Sequence, residues 1–273
     1  MRVAIIGGGV MGEALTAALL TKGVAQPSHV AVCDVLEQRR QHLASTYGVA
    51  VHQEAAAVLE GAHIAVLAVK PQEFPALATS LRGRLSPGQT VLSIMAGVPM
   101  ASLMQGLGHE KVVRAMPNTP AQIGAGATVW VASPKVGPQE KEEVRRVLGA
   151  LGLEMEVEHE KYVDMATAVS GSGSGFVFLL LEAFVEGAIA IGMPRAMAVQ
   201  LVLQTFAGSV RYAQQTGRHL AELRAQVTSP GGTTAAGILA LEKAAVRGAI
   251  MEAIQSAYRK ARELAEGGPF TSS

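Results

Sequence analysis

The chain has 273 residues, more than most single domains contain, so one medium unit and one smaller unit are expected. Apolar residues make up 49% and charged residues 16%, the formal net charge is +1, and there is only one Trp and four Tyr, which excludes a basic, base-stacking nucleic-acid binder and leaves apolar surface to be buried between subunits. The single cysteine, Cys33, excludes an internal disulfide and a cysteine-based zinc cluster and suits a reducing compartment, and none of the seven histidines has metal-ligand spacing, so no metal is expected.

Val3 to Ile6 reads as a strand buried on both faces that passes through Gly7, Gly9 and Gly12 into a helix. This is the dinucleotide-binding fingerprint. Gly7 permits the tight turn, Gly9 lets backbone approach a pyrophosphate and Gly12 packs helix on strand, while Val10 and Met11 lie at a helix start whose unpaired N–H groups and dipole favour an anion. A second strand, His29 to Cys33, leads to Asp34, roughly 20 residues beyond Gly12, where an acid commonly holds the adenine-side ribose. With Met1-Arg2-Val3 entering the first strand directly, no targeting peptide is expected and a cytoplasmic location is.

Helices follow over Leu36 to Tyr47, closed by Gly48, and over Gln53 to Glu60, closed by Gly61. Strands are expected at His63 to Val69, Thr90 to Met95 and Lys111 to Met116, each running into a loop of Gly, Pro or small polar residues, and ligands sit outside such carboxyl ends in open parallel sheets. Ala125 to Ala132 and Leu153 to Val157 are two further strands around a charged helix from Pro138 to Leu151. The pattern implies an α/β fold, a doubly wound parallel sheet over residues 1–160.

From residue 161 to 273 the pattern is all-helical: Tyr162 to Val169, Phe176 to Ile191, Pro194 to Thr216 with Pro194 at the first helical position, and two runs between Thr233 and Glu266. Phe176 to Ile191 is apolar nearly all round yet shorter than a bilayer span and carries Glu182 and Glu186, so pairing with a second subunit is expected rather than a membrane. The tail Gly267 to Ser273 is expected to be disordered. Between the helices, Ser229-Pro230-Gly231-Gly232-Thr233-Thr234 exposes consecutive amides and hydroxyls at a helix start; by spacing alone it fits a second anion site or a capped turn equally.

That loop, running on to Leu239 and Leu241-Glu242, resembles the signature of the pyrroline-5-carboxylate reductases, enzymes of proline synthesis. The resemblance extends over nearly the whole chain through Gly7 to Gly12, Ala68-Val69-Lys70-Pro71, Ala96-Gly97-Val98, Arg114 to Pro120, Val169 to Gly173 and Gly192-Met193-Pro194-Arg195. It implies a Rossmann domain followed by a helical domain that interlocks into homodimers and in some members decamers. The chain departs from the family in reading Ser174-Gly175 where Pro-Ala is usual, and Gln53-Glu54-Ala55 where many members carry an Asn.

The resemblance implies hydride transfer from NADH or NADPH to the cyclic imine 1-pyrroline-5-carboxylate, giving L-proline. Cofactor contacts are expected at Gly7, Gly9, Val10, Met11, Gly12, Asp34, Ala68, Val69, Lys70, Pro71, Ala96, Gly97 and Asn118. Substrate is expected at Ser229, Gly231, Gly232, Thr233 and Thr234, the amides of 232–234 holding the carboxylate, Ser229 supporting it and the Thr234 hydroxyl meeting the ring nitrogen. A 3-hydroxyacid dehydrogenase would need a Lys base after its Gly-rich helix start, and Gly171 to Leu181 has neither Lys nor His. The other alternative, a non-catalytic dinucleotide binder, would lack the Ser229 to Thr234 loop. Asp34 leans the cofactor toward NADH, with Arg39 and Arg40, a turn into the next helix, expected to point into solvent.

Overall fold

The computed structural model describes residues 1–267, and the tail expected to be disordered lies, beyond Gly267, outside the described residues. The chain forms two compact units, Met1–Ser172 together with the segment from Ser256, and Gly173–Gln255. The division thus falls after the expected boundary at residue 160, and the described residues 256–267 group with the first unit.

In the first unit, β1 (Val3–Ile6), β2 (Val30–Cys33), β3 (Ala50–His52), β4 (Ile64–Leu67), β5 (Thr90–Ser93), β6 (Val112–Met116), β7 (Gly126–Ala132) and β8 (Gly152–Glu156) make one sheet, in the order β3-β2-β1-β4-β5-β6-β7-β8. Helices α1 (Val10–Thr21), α2 (Glu37–Tyr47), α3 (Phe74–Leu81), α4 (Met100–Leu107) and α5 (Pro138–Gly149) cover it, and α6 (Lys161–Ala166) follows. Side chains alternate across the strands into two cores. Val3, Ile5, Val30, Val32, Ile64 and Val66 meet Leu15 and Leu19 of α1 and Leu43 of α2 on one face, while Ala4, Ile6, Ala65 and Leu67 meet Phe74 and Leu81 of α3 and Leu103 of α4 on the other. The strand order reverses between β1 and β4, so their carboxyl ends open a crevice there.

The sheet departs from the sequence expectation in three ways. β7 runs antiparallel to β6, and β8 parallel to β7, because a loop with one 3₁₀ turn at Thr119–Ile123 joins β6 to β7 and is too short for a parallel crossover. The helix expected over Gln53 to Glu60 is only a 3₁₀ turn at Ala55–Val58, and Ala50–His52 before it is an edge strand that pairs with β2 through backbone despite lacking a buried face. Helices α3 and α4 were not anticipated; each is short, and Pro75 and Pro99 lie at their starts, where proline needs no hydrogen-bonded N–H.

The second unit contains α7 (Gly173–Ala190), α8 (Arg195–Thr216), α9 (Leu220–Gln226), α10 (Thr233–Lys243) and the start of α11 (Val246–Gly267). α9 was not anticipated, and Pro194 caps α8 instead of occupying its first turn. Phe184 of α7 and Phe206 of α8 meet edge to face with centroids 5.0 Å apart. Ser174 and Gly175, the departure from the family pattern, lie within regular α7. A π turn at Thr167–Gly171 links α6 to it, giving a helical stretch Lys161–Ala190 of 30 residues. This overturns the argument that the apolar run is too short for a bilayer: by length and composition the helix is long enough, and only 6% of its apolar window is buried in a single chain.

Candidate functional site

At the switch point, Gly7 lies against the backbone of Ala68 so closely that a Cβ there would approach its carbonyl carbon to 2.7 Å, and its φ of +104° suits glycine alone. Gly12 is equally constrained, since a Cβ would come within 1.9 Å of the Gly7 oxygen. Around Gly9 a Cβ would meet open space, so this is the cradle into which a phosphate chain can come close to backbone. The first intrahelical bond of α1 runs from the Glu13 N–H to the Gly9 carbonyl, which leaves the amides of Val10, Met11 and Gly12 without intrahelical acceptors.

Asp34, just past β2, accepts hydrogen bonds from the Gly8 N–H at 2.8 Å and the Leu36 N–H at 2.9 Å, one on each carboxylate oxygen. An ionised carboxylate offers about four lone-pair positions, so acceptor capacity remains for ribose hydroxyls. Cys33 beside it donates to the Gln53 carbonyl; burial pushes its thiol up to about 11, with the Asp34 charge acting in the same direction. It is a packed thiol, not a nucleophile.

A cavity of about 680 Å³ opens here, within the usual range for ligand pockets. It brings together Gly7, Gly9, Asp34, Ala68, Val69 and Lys70 of the expected cofactor residues. Val10, Met11, Gly12, Pro71, Ala96, Gly97 and Asn118 are not among its lining. Gly97 instead faces Leu264 of α11, whose Cβ would lie 3.1 Å from an added Cβ. Asn118 accepts from the Ala127 N–H at 2.8 Å and donates to the Ser170 carbonyl at 3.3 Å, which ties β7 to the π turn. The lining also includes Val35, Leu36, Gln53, Glu54, Ala55, Leu77 and Arg84, which sequence reasoning did not assign. Exposed apolar Val35 and Leu36 immediately after the acid were the available signal, because such residues need a planar ligand or a partner to cover them.

The two arginines do not point into solvent. Arg39 donates to the Gly8 carbonyl from Nε at 3.0 Å and from Nη2 at 2.5 Å, and pairs with Glu13 at 2.5 Å. Arg40 donates to the carbonyls of Asp34 and Val35 and pairs with Glu37. Sequence periodicity places both on an exposed helix face, but carbonyls left over at the ends of neighbouring turns attract them back. A further ion cluster also went unforeseen: Arg114 on β6, 2% exposed, pairs with Glu160 at 2.7 Å and Asp164 at 2.6 Å, fastening α6 to the sheet.

In the second unit the loop Ser229–Gly232 turns through Gly231 at φ +73°, and the Gly232 N–H donates to the Ser229 carbonyl at 3.1 Å. A Cβ on Gly232 would come within 2.4 Å of the Ser229 Oγ, so glycine is required. The first bond of α10 joins the Ala236 N–H to the Gly232 carbonyl, leaving the amides of Thr233, Thr234 and Ala235 open. Among the described residues the hydroxyls of Ser229, Thr233 and Thr234 make no hydrogen bond, whereas Thr228 is committed to the Arg224 carbonyl at 2.6 Å. Three open amides and three open hydroxyls at one helix start match a small carboxylate. No group of His, Cys, Asp and Glu suited to a metal occurs among the described residues.

Residues 160–264 match the family model described as pyrroline-5-carboxylate reductase dimerisation, and residues 2–97 the one described as NADP oxidoreductase, coenzyme F420-dependent. A pyrroline-5-carboxylate reductase of Synechocystis sp. is 41% identical over 97% of this chain and 98% of its own length. Two solved structures are similar throughout. One, from Coxiella burnetii, has a TM-score of 0.88 at 32% identity, covering 97% of this chain and 98% of the other. The second, a Plasmodium falciparum pyrroline carboxylate reductase with NADP bound, has a TM-score of 0.89 at 27% identity with the same coverage.

Proposed function

Because the chain belongs to the pyrroline-5-carboxylate reductase family, we propose that it reduces 1-pyrroline-5-carboxylate to L-proline, the closing step of proline synthesis, using a nicotinamide dinucleotide. The observation that carries this is the presence, on one chain of this family, of a dinucleotide cradle at the β1–β4 switch point and of a carboxylate-sized set of open amides at Thr233 to Ala235.

Residues 1–160 would hold the dinucleotide and residues 161–273 the substrate and the dimer interface. The amides of Val10, Met11 and Gly12 would take the pyrophosphate and Asp34 the ribose, with Ala68 to Pro71, Ala96, Gly97 and Asn118 forming the further strand-end contacts expected from the family. When bound, the dihydronicotinamide supplies a hydride to the imine carbon. The amides of Thr233 and Thr234 hold the carboxylate, with Gly231 shaping the turn and Ser229 bracing it; the Gly232 N–H, expected to join them, is instead taken by the Ser229 carbonyl. The Thr234 hydroxyl hydrogen-bonds the ring nitrogen, which carries one proton as the iminium and keeps it as the product amine. A protonated imine is already a strong electrophile, so the residues supply orientation and no strong acid is needed. Phe176 to Leu181 offers no Lys to deprotonate an alcohol, which disfavours a hydroxyacid substrate.

We assign the cofactor as either NADH or NADPH with a modest preference for NADH: Asp34 and Glu54 put carboxylates in the cavity, and Arg39 and Arg40 are held by backbone and acids. Residues 160–264 serve self-association, as a homodimer and in higher order as a decamer, and a cytoplasmic location agrees with one buried, unpaired cysteine. The purified protein should consume NADH or NADPH only when the cyclic imine is added. Turnover of a linear 3-hydroxyacid with none of the imine would refute the assignment.

A further inference from the structure

Three consecutive glycines, 7 to 9, form the turn that must present amides to a pyrophosphate, and unbraced glycines carry the largest conformational entropy of any residues. In this chain the central one is gripped on both sides. Its N–H donates to Asp34, and its carbonyl accepts two hydrogen bonds from the Arg39 guanidinium. A Cβ at Gly8 would strike Leu43 at 2.6 Å, so packing closes the third direction.

Peptide planarity makes the carbonyl grip consequential. The Gly8 carbonyl and the Gly9 N–H belong to one trans peptide and point oppositely, so drawing the oxygen toward Arg39 turns the Gly9 N–H the other way. Arg39 is in turn held by Glu13, in the first turn of α1, whose carboxylate also accepts from His42 at 2.7 Å and Tyr47 at 3.1 Å. Burial raises the Glu13 carboxyl, but hydrogen bonds from Arg39, His42 and Tyr47 outweigh it and hold the group down at about 2. It is therefore ionised at any physiological pH, and the guanidinium stays anchored.

We infer that Arg39 is a positioning residue for the phosphate-binding turn, acting through the Gly8 carbonyl to aim the Gly9 amide, and not a ligand of a 2′-phosphate. The inference rests on the dinucleotide site proposed above. It assigns to Arg39 a role that is the same for both cofactors, because the pyrophosphate is common to them, and it separates this arginine from the choice between them.

The test is direct titration of NADH and NADPH onto the full-length protein, which needs no imine, alongside cofactor KM and kcat. Arg39→Met should weaken both dinucleotides about tenfold, the loss of a charged hydrogen bond, with their affinity ratio within about twofold of wild type and the rise in KM exceeding the fall in kcat. Arg39→Lys keeps the charge but lacks the fork, so it should remain at least about threefold weaker than wild type. Glu13→Gln, which loosens the guanidinium but leaves its Gly8 contacts, should weaken both about two- to threefold and decides the matter if the Arg39 variants do not fold. A loss confined to NADPH would make Arg39 a 2′-phosphate ligand; full rescue by lysine would reduce its role to charge; unchanged affinity in the variants would remove the role altogether. Each overturns the inference. A wild type that binds neither dinucleotide refutes the proposed cofactor site itself, and this inference with it.

Discussion

Strands β1 and β4 contain no residue that is not buried, whereas between Gly173 and Gln255 only Ala198 and Val202 are buried in a single chain. The sheet unit closes its core within itself because parallel strands are covered on both faces by helices from the same segment. The helical unit exposes Phe178, Leu179, Phe184, Leu201 and Leu203, too much apolar surface for a segment of this size to cover. Its match to a dimerisation family agrees with self-association covering that surface. One unit thus closes its own core, and the other leaves apolar surface for association to cover.

The largest test of this contrast is Phe178→Glu/Leu179→Glu, which puts charge on the apolar face of α7. Light scattering should show monomers at micromolar concentration and imine reduction should vanish, while dinucleotide binding survives in the sheet unit; a persisting dimer would break the comparison. Next, Leu92→Ala, fully buried in β5, should cost about 2 to 5 kcal/mol in denaturant unfolding at any protein concentration. Leu203→Ala should instead cost little where the chain is monomeric and more as protein concentration rises, since its side chain is covered only on association. Thr234→Ala should lower kcat/KM by about 1 to 3 kcal/mol with cofactor affinity kept, and an equal loss of cofactor binding would move Thr234 away from the substrate.

Smaller effects sharpen the reading of the sheet unit. Asp34→Ser should shift the NADH-to-NADPH ratio of kcat/KM toward NADPH by roughly tenfold, and an unchanged ratio would mean that Asp34 does not read the ribose. Glu13 has a folded value of about 2 against an ordinary 4.5, so its contribution is fully present above about 4.5 and is lost as pH falls from there toward 2. The melting temperatures of wild type and Glu13→Gln should therefore converge across that window, and a constant gap would sink the assignment.

Much of the sheet unit is legible in the residues themselves. The apolar strands and the glycine turn are local consequences of side-chain period and missing Cβ atoms, so local pattern alone places Val3 to Gly12, Asp34 and Ala68 to Lys70 at one end of the sheet. The loop from Ser229 to Thr234 was legible for the same reason, since Pro230, Gly231 and Gly232 interrupt a helix whatever surrounds them. β3 was not legible, because an edge strand of exposed residues has no apolar pattern and exists through its backbone pairing with β2.

By itself the sequence determined the parallel core, the phosphate turn, the helical second half and the family. Only the tertiary structure decided the direction of β7, the burial of Arg114 between Glu160 and Asp164, the diversion of Asn118 to Ala127 and Ser170, and the attachment of Arg39 to Gly8. The first set follows from spacing along the chain, which periodicity records. The second depends on which polar groups remain unsatisfied at a given point in space, and those partners lie far apart in sequence, where no local pattern can announce them.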